Sequence, residues 1–288
     1  MTNIGLSAVI LAKNEEENLP GCLESVRKLA DEIILIDDCS SDKTVEIAKK
    51  AKVEVFQRRL DDFSSQRNFA LEKVKTPWVL FIDPDEEVSP ELAQEIKKVI
   101  QNKKFDGFQI PRKNIIFGKW IKHSGWYPDW QLHLFKKEKG KYVGRVHEQV
   151  EIKGKVGELK NFLLHKNYQS ISQYLEKLSR YTSLEKEFQI DSGYKFSWQD
   201  LIKKPLGEFL RRFFAEEGYK DGVHGLALSL LQAFSELVVY LKIWEKEGFK
   251  DEEIPGVFEE IEKATSEINW WIAAKTKNPI RKILNKLR

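Results

Sequence analysis

The chain has 288 residues, of which 41% are hydrophobic and 32% are charged, and its formal net charge is +3. This length suits one large domain or a domain with an extension, with a substantial buried core. The small net charge gives no support to nucleic-acid binding, which usually requires a strong positive excess. Cys22 and Cys39 are the only cysteines, too few for a disulfide scaffold or for a structural zinc site built from cysteine alone.

The N-terminal residues carry no targeting signal. Met1–Gly5 contains no basic stretch and no signal-peptide hydrophobic region. The apolar stretch Leu6–Ala12 is too short to span a bilayer. Together with the low cysteine content, these features predict a protein that is made and kept in the reducing cytoplasm.

The first hundred residues alternate between strand and helix patterns. Short apolar runs predict four buried strands, at Leu6–Ala12, Glu32–Asp38, Val53–Phe56 and Trp78–Ile82. A first helix is predicted after Asn14, and its apolar stripe consists of Leu19, Leu23, Val26 and Leu29. Further helices are predicted at about Lys43–Lys50, near Gln66–Lys73 and from Pro90 onward. Ser89 is the expected N-cap of the last helix, and Asn14, with Glu17 in the capping-box position, is the expected N-cap of the first. This alternation predicts a mostly parallel sheet with helices on both faces.

After Asn102 the pattern changes to a mixed region in which a substrate pocket could be completed. Strands are predicted at Gly107–Phe117, Trp130–Lys136, Tyr142–Val150 and Phe162–Tyr168. From Ser170 onward helices dominate, and Leu226–Trp244 is the most apolar of them. Gln232 and Glu236 lie one turn apart in this helix, and this polar stripe favours a helix with one buried face over a lipid-spanning segment. We expect one domain at 1–168 and a helical extension at 169–288.

Two segments of the C-terminal third combine apolar and basic side chains. They are Phe209–Phe214 and Pro279–Arg288. Basic amphipathic segments of this kind can lie on an anionic membrane surface. A helical cap on the first domain or a contact between two copies of a homodimer explains the same pattern equally well.

Three polar clusters follow predicted strands directly. They are Ala12–Glu15, Asp37–Asp42 and Asp83–Glu86. Ligands bind beyond the carboxyl ends of parallel strands, so the topology brings these clusters to one rim. No Gly-x-Gly-x-x-Gly follows the first strand and no P-loop is present, which counts against a dinucleotide dehydrogenase. A nucleotide would therefore be held by carboxylates and a metal ion, for which Asp83 and Asp85 are suitable ligands.

Both acidic motifs also have a purely structural explanation. Asp83 and Asp85 could cap the helix near Ser89 or face water, and a lone Asp-x-Asp is a common pattern. Their position at the end of a buried strand, beside two other polar clusters, favours a functional role. Asp37 and Asp38 could simply form a turn, and we expect one of the two to contact a ligand.

Three N-terminal segments resemble glycosyltransferase family 2, which has the GT-A fold. They are SAVILAKNEEENLPGCLESV, EIILIDDCSSDKTVEIA and DDFSSQRNFALEKVKTPWVLFIDPDEEVSPEL. Later segments are similar to the branch that contains bacterial lipopolysaccharide-core β-1,4-glucosyltransferases, namely GWYPDWQLHLFKK, GRVHEQV and FLRRFFAEEGYKDGVHGLALSLLQAFSELVVYLKIWE. The resemblance implies a Rossmann-like, mostly parallel sheet, with a nucleotide-sugar half at about 1–102 and an acceptor half at about 103–168.

The resemblance also implies roles for residues at matching positions. Those that would line the nucleotide are Ala12, Asn14, Glu15, Asp38 and Arg67. Asp83 would touch the ribose, or the metal through water, and Asp85 would bind Mg²⁺ or Mn²⁺ directly. The family usually has a small residue between these acids, and here it is Pro84, which makes the backbone of the motif stiffer.

Transfer with inversion at the sugar carbon needs one general base to deprotonate the acceptor hydroxyl. Glu148 and Asp129 are the two candidates, and Glu148 is slightly preferred, which leaves Asp129 to hold sugar or acceptor hydroxyls. A salt bridge to a nearby Lys or Arg is the alternative for either. His147 or His133 could complete the metal shell or contact phosphate, although a histidine in a strand is more often a packing residue.

Trp126, Tyr127 and Trp130 form an aromatic cluster in the sequence beside polar groups. Aromatic faces suit the C–H faces of sugars, so the cluster predicts an acceptor or sugar site, with ordinary core packing as the alternative.

The resemblance therefore predicts an inverting, metal-dependent hexosyltransferase. Its expected donor is a UDP-sugar, with glucose as the hexose, and its expected acceptor is a glycan or lipid-linked glycan such as lipopolysaccharide core. A lipid-linked acceptor would place the protein at the cytoplasmic face of the inner membrane. Two alternatives remain open, a nucleotidyltransferase and a non-catalytic carbohydrate-binding protein. An early basic, glycine-rich loop would mark the former, but Lys13–Glu17 is acidic.

Overall fold

The computed structural model of the protein describes residues 5–144 and 149–276. The described residues form two compact units. One comprises the residues up to Ile116 together with Pro128–Asn167, and the other comprises Phe117–Tyr127 together with the residues from Tyr168 onward. The units are not consecutive halves of the chain, because the short central segment Phe117–Tyr127 belongs to the helical unit.

The regular elements of the described residues are as follows in chain order. The strands are β1 (Leu6–Ala12), β2 (Glu32–Asp37), β3 (Glu54–Gln57), β4 (Trp78–Phe81), β5 (Glu86–Val88), β6 (Gly107–Ile116), β7 (Lys119–Trp120), β8 (Asp129–Lys136), β9 (Gly140–Val143), β10 (Gln149–Ile152), β11 (Val156–Glu158) and β12 (Leu163–Tyr168). The α-helices are α1 (Leu19–Val26), α2 (Thr44–Lys50), α3 (Phe63–Lys73), α4 (Pro90–Val99), α5 (Ile171–Asp191), α6 (Asp200–Leu210), α7 (Val223–Lys246) and α8 (Val257–Lys275).

The first four strands of the first unit form a parallel sheet in the order β3-β2-β1-β4. This confirms the parallel sheet that the sequence predicts. The sheet continues beyond β4 with β8, β6, β12 and β5, and β8 is antiparallel to both β4 and β6. β12 and β5 also pair antiparallel. A separate antiparallel pair, β9 with β10, replaces the single strand predicted at Tyr142–Val150.

Two hydrophobic clusters cover opposite faces of the parallel sheet. Alternate residues of β1 point to opposite sides, so Ala8 and Ile10 join one cluster and Val9 joins the other. The first cluster includes Leu19 of α1 and the second includes Ala70 of α3. Helices therefore lie on both faces, as the strand–helix alternation predicts.

The N-cap predicted for the first helix is wrong. α1 begins at Leu19, directly after Asn18, so Asn14 lies too far upstream to cap it. Asn14 instead has a left-handed backbone with φ of 55°, a conformation that asparagine tolerates better than most residues. The cap predicted at Ser89 is confirmed, because its hydroxyl accepts a hydrogen bond from the backbone N–H of Leu92.

The second unit is mainly helical, as expected for the C-terminal part of the chain. α7 packs against α5 and α6, and α8 packs against α6. The apolar helix predicted at Leu226–Trp244 is part of α7, and Gln232 donates a 2.8 Å hydrogen bond to the Tyr174 hydroxyl of α5. Among the described residues, α7 is the one helix whose length and composition would allow it to cross a bilayer, a property that core helices of soluble proteins share.

Candidate functional site

The carboxyl ends of β1 and β2 meet at one rim of the parallel sheet. Ala12 pairs with Asp37 in the ladder, and the next residue, Asp38, donates its backbone N–H to the carbonyl of Ala12 at 2.8 Å. The Asp38 carboxylate accepts hydrogen bonds from the Lys13 ammonium and the Leu60 N–H, both at 2.8 Å. Burial would raise the pKa of Asp38, but these hydrogen bonds and the charge of Lys13 keep it below its usual value.

The two adjacent acids after β2 differ in their surroundings. Asp37 is fully buried and accepts hydrogen bonds from the backbone N–H of Ser40 and from the Gln57 side chain. Those contacts shape the turn and tie it to β3, which is the structural role considered for this pair. Asp38 follows the strand directly at the rim, and it is the member of the pair for which the family resemblance implies a nucleotide contact.

The loop after β1 is fastened to the loop after β2. The backbone N–H of Asn14 donates to the Ser40 hydroxyl at 2.9 Å, and the Asn14 side-chain oxygen accepts from the Ser41 N–H at 2.8 Å. The backbone N–H of Glu15 donates to the Thr44 hydroxyl at 2.8 Å. These bonds hold two of the three predicted polar clusters together at the rim.

The third cluster follows β4 and contains Asp83. One oxygen of its partly exposed carboxylate lies 3.6 Å from the guanidinium of Arg67, and the other lies 3.9 Å from that of Arg112. Arg67 is held in place by the aromatic rings of Phe81 and Tyr142, at 5.5 and 5.4 Å from their centroids. Burial opposes ionisation of Asp83, but the charge of Arg67, followed by others, lowers its pKa below the usual value.

Arg112 links Asp83 to two further carboxylates. Its Nε donates to Asp129 at 2.8 Å, and its terminal nitrogen donates to the fully buried Glu86 at 3.3 Å. Register explains this arrangement, because Arg112 of β6 lies opposite Asp129 of β8. Burial and then the charge of Asp83 raise the pKa of Glu86 above its usual value. Arg112 is thus the cation around which the acids of this region are arranged.

Asp129 uses both carboxylate oxygens within the protein. One accepts from Arg112 and from the Asn114 amide, the latter at 3.2 Å, and the other accepts from the Gln131 amide at 2.6 Å. Burial would raise the pKa of Asp129, but Arg112 and these hydrogen bonds lower it. A carboxylate held in this way is a weak base.

A histidine that the sequence pattern did not single out lies beside Asp85. The Nε2 atom of His165 is 3.5 Å from an Asp85 oxygen, and its Nδ1 lies 2.6 Å from the side-chain oxygen of Asn114. The amide of Asn114 donates to Asp129, so its oxygen is the atom that faces His165. Nδ1 therefore donates to that oxygen, and Nε2 is the ring nitrogen that faces Asp85.

Asp85 and His165 together fit a divalent cation. Neutral imidazole and carboxylate are both suitable ligands for Mn²⁺, and a metal-binding histidine commonly donates its other N–H to an oxygen acceptor, as His165 does to Asn114. In the part of the chain that the structure describes, no group of three Asp, Glu, His or Cys side chains forms a complete metal cluster. A cation here would therefore need ligands from a substrate, such as diphosphate oxygens.

His133 has a different environment from His165. It is buried, and burial is the main cause that lowers its pKa to about 3, so it is neutral near pH 7. Its Nε2 is 4.0 Å from Glu86, and within the described residues no hydrogen-bond partner is found for it. His133 and Arg67 line a cavity of about 430 Å³, together with Trp130 and Tyr142.

The remaining predicted residues are distributed as follows. His147 and Glu148 lie outside the described residues. Trp126 and Tyr127 belong to the second unit, where Trp126 contacts Tyr168 edge-on at 6.3 Å and Tyr127 contacts Trp120 at 5.5 Å. Trp130 is in the first unit, so the three aromatic residues that are close in sequence are divided between the two units.

Comparison with known proteins gives the family. The model of glycosyl transferase family 2 matches residues 7–150, which is half of the chain. An uncharacterised glycosyltransferase of Rickettsia typhi is 28% identical over 83% of this chain and 87% of its own length. The lipopolysaccharide core biosynthesis glycosyltransferase LpsC of Rhizobium meliloti is 26% identical over 85% of this chain and 94% of its own length.

Solved structures give more remote similarities. S. aureus TarS in complex with UDP aligns with a TM-score of 0.44 at 14% identity, covering 88% of this chain and 95% of its own. Glucosyl-3-phosphoglycerate synthase from Mycobacterium tuberculosis, in complex with Mn²⁺, UDP and glucosyl-3-phosphoglycerate, aligns at 0.43 and 15% identity, covering 67% and 81%. At this level of identity, these structures do not assign roles to individual residues of this chain. The match to the family model over half of the chain confirms the resemblance: the chain belongs to glycosyl transferase family 2.

Proposed function

We propose that the protein is an inverting hexosyltransferase that moves glucose from UDP-glucose to a glycan or lipid-linked glycan such as lipopolysaccharide core. The observation that carries this proposal is the position of Asp38, Arg67, Asp83 and Asp85 in the parallel-sheet unit, within the span 7–150 that matches the family model, with Arg67 3.6 Å from Asp83. The acceptor class is supported by the name of one relative that is similar over most of its length, LpsC.

Asp85 and His165 would hold Mg²⁺ or Mn²⁺, and such a cation stabilises the charge that develops on a departing nucleoside diphosphate. Asn114 fixes the tautomer of His165, and Arg112 and Glu86 fix the segment around Asp83. Arg67 places a positive charge beside the cavity, where it would attract the donor diphosphate. Asp38, at the far end of the rim, would contact the base.

Glu148 is proposed as the general base that removes the proton from the acceptor hydroxyl. The surroundings of Asp129 support this preference, because its two oxygens already accept three side-chain hydrogen bonds and its pKa is lowered. Asp129 would act through its contacts, by orienting Arg112 and Asn114.

The acceptor class suggests where the protein works. Lipopolysaccharide core or another lipid-linked glycan would place the reaction at the cytoplasmic face of the inner membrane. Two separate proposals concern the helical unit, namely that it contacts this membrane and that it forms a homodimer. The proposed chemistry at Asp83 and Asp85 requires neither of them.

A binding and turnover screen tests the donor assignment. Isothermal titration of the full chain with UDP-glucose, other UDP-sugars and a GDP-sugar, with Mn²⁺ or with a chelator, should show binding of a uridine compound that strengthens with Mn²⁺. Release of UDP in the presence of an acceptor glycan should follow. Binding of no uridine compound would overturn the donor assignment, and release of pyrophosphate from a nucleoside triphosphate would identify a nucleotidyltransferase instead.

A further inference from the structure

One face of α7 is apolar and exposed, although its opposite face is packed. The packed face includes Leu228 and Ser229, both fully buried. On the opposite side Val223 is 81% exposed, Leu230 is 53% exposed and Phe234 is 46% exposed. Leu226, also exposed, completes a spacing of three or four residues that places these four side chains on one side of the helix. We call these four residues the α7 stripe.

The surface around the α7 stripe carries almost no charge on α7 itself. Between Val223 and Leu241 the sequence contains a single Asp, Glu, Lys or Arg residue, Glu236. Glu236 lies one turn from Gln232, which is bonded to α5, so its side chain is on the packed side. Leu237 and Leu241 continue the apolar spacing and extend the uncharged face to about 27 Å at 1.5 Å per residue. A contiguous apolar face of this length is a sign of an interaction surface.

Aromatic and basic side chains lie at the N-terminal end of α7. Tyr219 precedes Val223 by four residues, and the ammonium of Lys275, at the end of α8, lies 5.7 Å from the centre of its ring. Trp270 of α8 is exposed and contacts Trp271 at 5.0 Å. Tryptophan and tyrosine are the residues that favour the boundary between lipid and water. Lys275 adds a positive charge beside Tyr219.

The sequence that follows α8 is strongly basic. Residues 277–288 contain five Lys or Arg residues and no Asp or Glu. Lys275 lies over Tyr219, four residues before Val223, and the basic sequence follows it in the chain after one residue. Positive charge next to an apolar face complements an anionic lipid surface, whose head groups attract the cations while its acyl region accepts the apolar side chains.

We infer that the α7 stripe is a membrane-binding surface that rests on an anionic bilayer, with α7 parallel to the membrane plane. The helix lies on the bilayer and does not cross it, because its other face is packed against α5 and α6 and keeps Ser229, Gln232 and Glu236 away from lipid. A second copy of the chain would also cover the stripe, but it carries the same basic C-terminal sequence, whereas an anionic bilayer supplies the opposite charge. The inference does not depend on the identity of the donor or the acceptor.

Co-sedimentation with vesicles tests this inference on the full chain. Vesicles of phosphatidylcholine alone are compared with vesicles that also contain phosphatidylglycerol, at low and high salt. The full chain should bind the anionic vesicles, and binding should weaken in high salt. The double variant Leu230→Asp/Phe234→Asp should bind at least about tenfold more weakly, as should the charge variant Lys282→Glu/Lys286→Glu.

Ile254→Asp is the matched control, because Ile254 lies between α7 and α8, is 51% exposed and is outside the stripe. It should bind vesicles as the unchanged chain does, and circular dichroism should show that all variants are folded. No binding of the unchanged chain to anionic vesicles would overturn the inference. So would a stripe variant that binds vesicles normally but changes from dimer to monomer in sedimentation velocity, which would identify a second copy as the occupant.

Discussion

The rim of the parallel sheet and the α7 stripe break the usual distribution of side chains in opposite ways. Around Arg112, charged groups that normally face water are wholly or partly covered by protein, and each is held by a partner of opposite charge or by an amide. On α7, leucine and phenylalanine side chains that normally lie inside face outward. Each departure costs folding free energy, and we propose that each serves a ligand, which is a nucleotide sugar at the rim and a lipid surface at the stripe.

The comparison predicts that the rim responds to mutation mainly through activity. Asp85→Ala should lower transfer by at least about a thousandfold, since the proposed cation would lose its carboxylate ligand. Initial rates of UDP release measure this, and the temperature of unfolding should change little. Asp106→Ala is the matched control, as Asp106 is paired with Lys136 elsewhere in the same unit. Full activity of Asp85→Ala in the presence of a chelator would contradict the proposed metal site.

The charge network of the rim should also contribute to stability. Arg112→Met should lower the free energy of unfolding by about 3 kcal/mol, because it leaves Asp83, Glu86 and Asp129 without their shared cation. Urea unfolding followed by circular dichroism measures the loss. A change below about 0.5 kcal/mol would mean that the three carboxylates do not need this cation to fold.

Two leucines on the same helix compare the packed and exposed faces directly. Leu228→Ala should lower the free energy of unfolding by about 2.5 kcal/mol, because Leu228 is fully buried and its loss leaves a cavity. Leu230→Ala removes the same atoms from an exposed position and should change stability by less than about 0.5 kcal/mol. Urea unfolding in the absence of lipid provides both values. Equal losses would show that Leu230 is covered in solution.

The pH dependence of stability tests the buried state of His133. Burial lowers its pKa to about 3 from an ordinary value of 6.5, so below pH 6.5 the unfolded chain binds a proton that the folded chain does not. Above the unfolded pKa of 6.5, His133 is neutral in both states and does not lower the free energy of unfolding. As the pH falls below that value, protonation of His133 in the unfolded chain lowers the free energy of unfolding. His133→Gln should therefore reduce the decrease in unfolding free energy between about pH 7 and about pH 5 by roughly 2 kcal/mol. Identical pH profiles would contradict a buried, neutral His133.

The sequence predicts the first four strands to within about one residue. β1, β2 and β4 are apolar runs that are largely buried, the pattern of strands covered on both faces, whereas β3 contains Glu54, ends the sheet order and is more exposed. Local patterns also place Asp38, Asp83 and Asp85 at strand ends. They do not reveal His165 or Asn114, which come together near Asp85 only because β12 lies between β5 and β6 in the sheet. The register between distant strands is not encoded in any local periodicity. The prediction of Asn14 as an N-cap fails for a similar reason, because its hydrogen-bond partners, Ser40 and Ser41, belong to another loop.

One amide connects the two halves of the proposed chemistry. Asn114 donates to Asp129 and accepts from His165, whose other nitrogen faces Asp85. A change at Asp129 frees that amide to rotate, and a rotated amide presents its NH₂ group to His165 and favours the opposite imidazole tautomer. The effects of substitutions at Asp129 and Asp85 are therefore expected to be non-additive in a double-mutant cycle, although no atom of one carboxylate needs to touch the other.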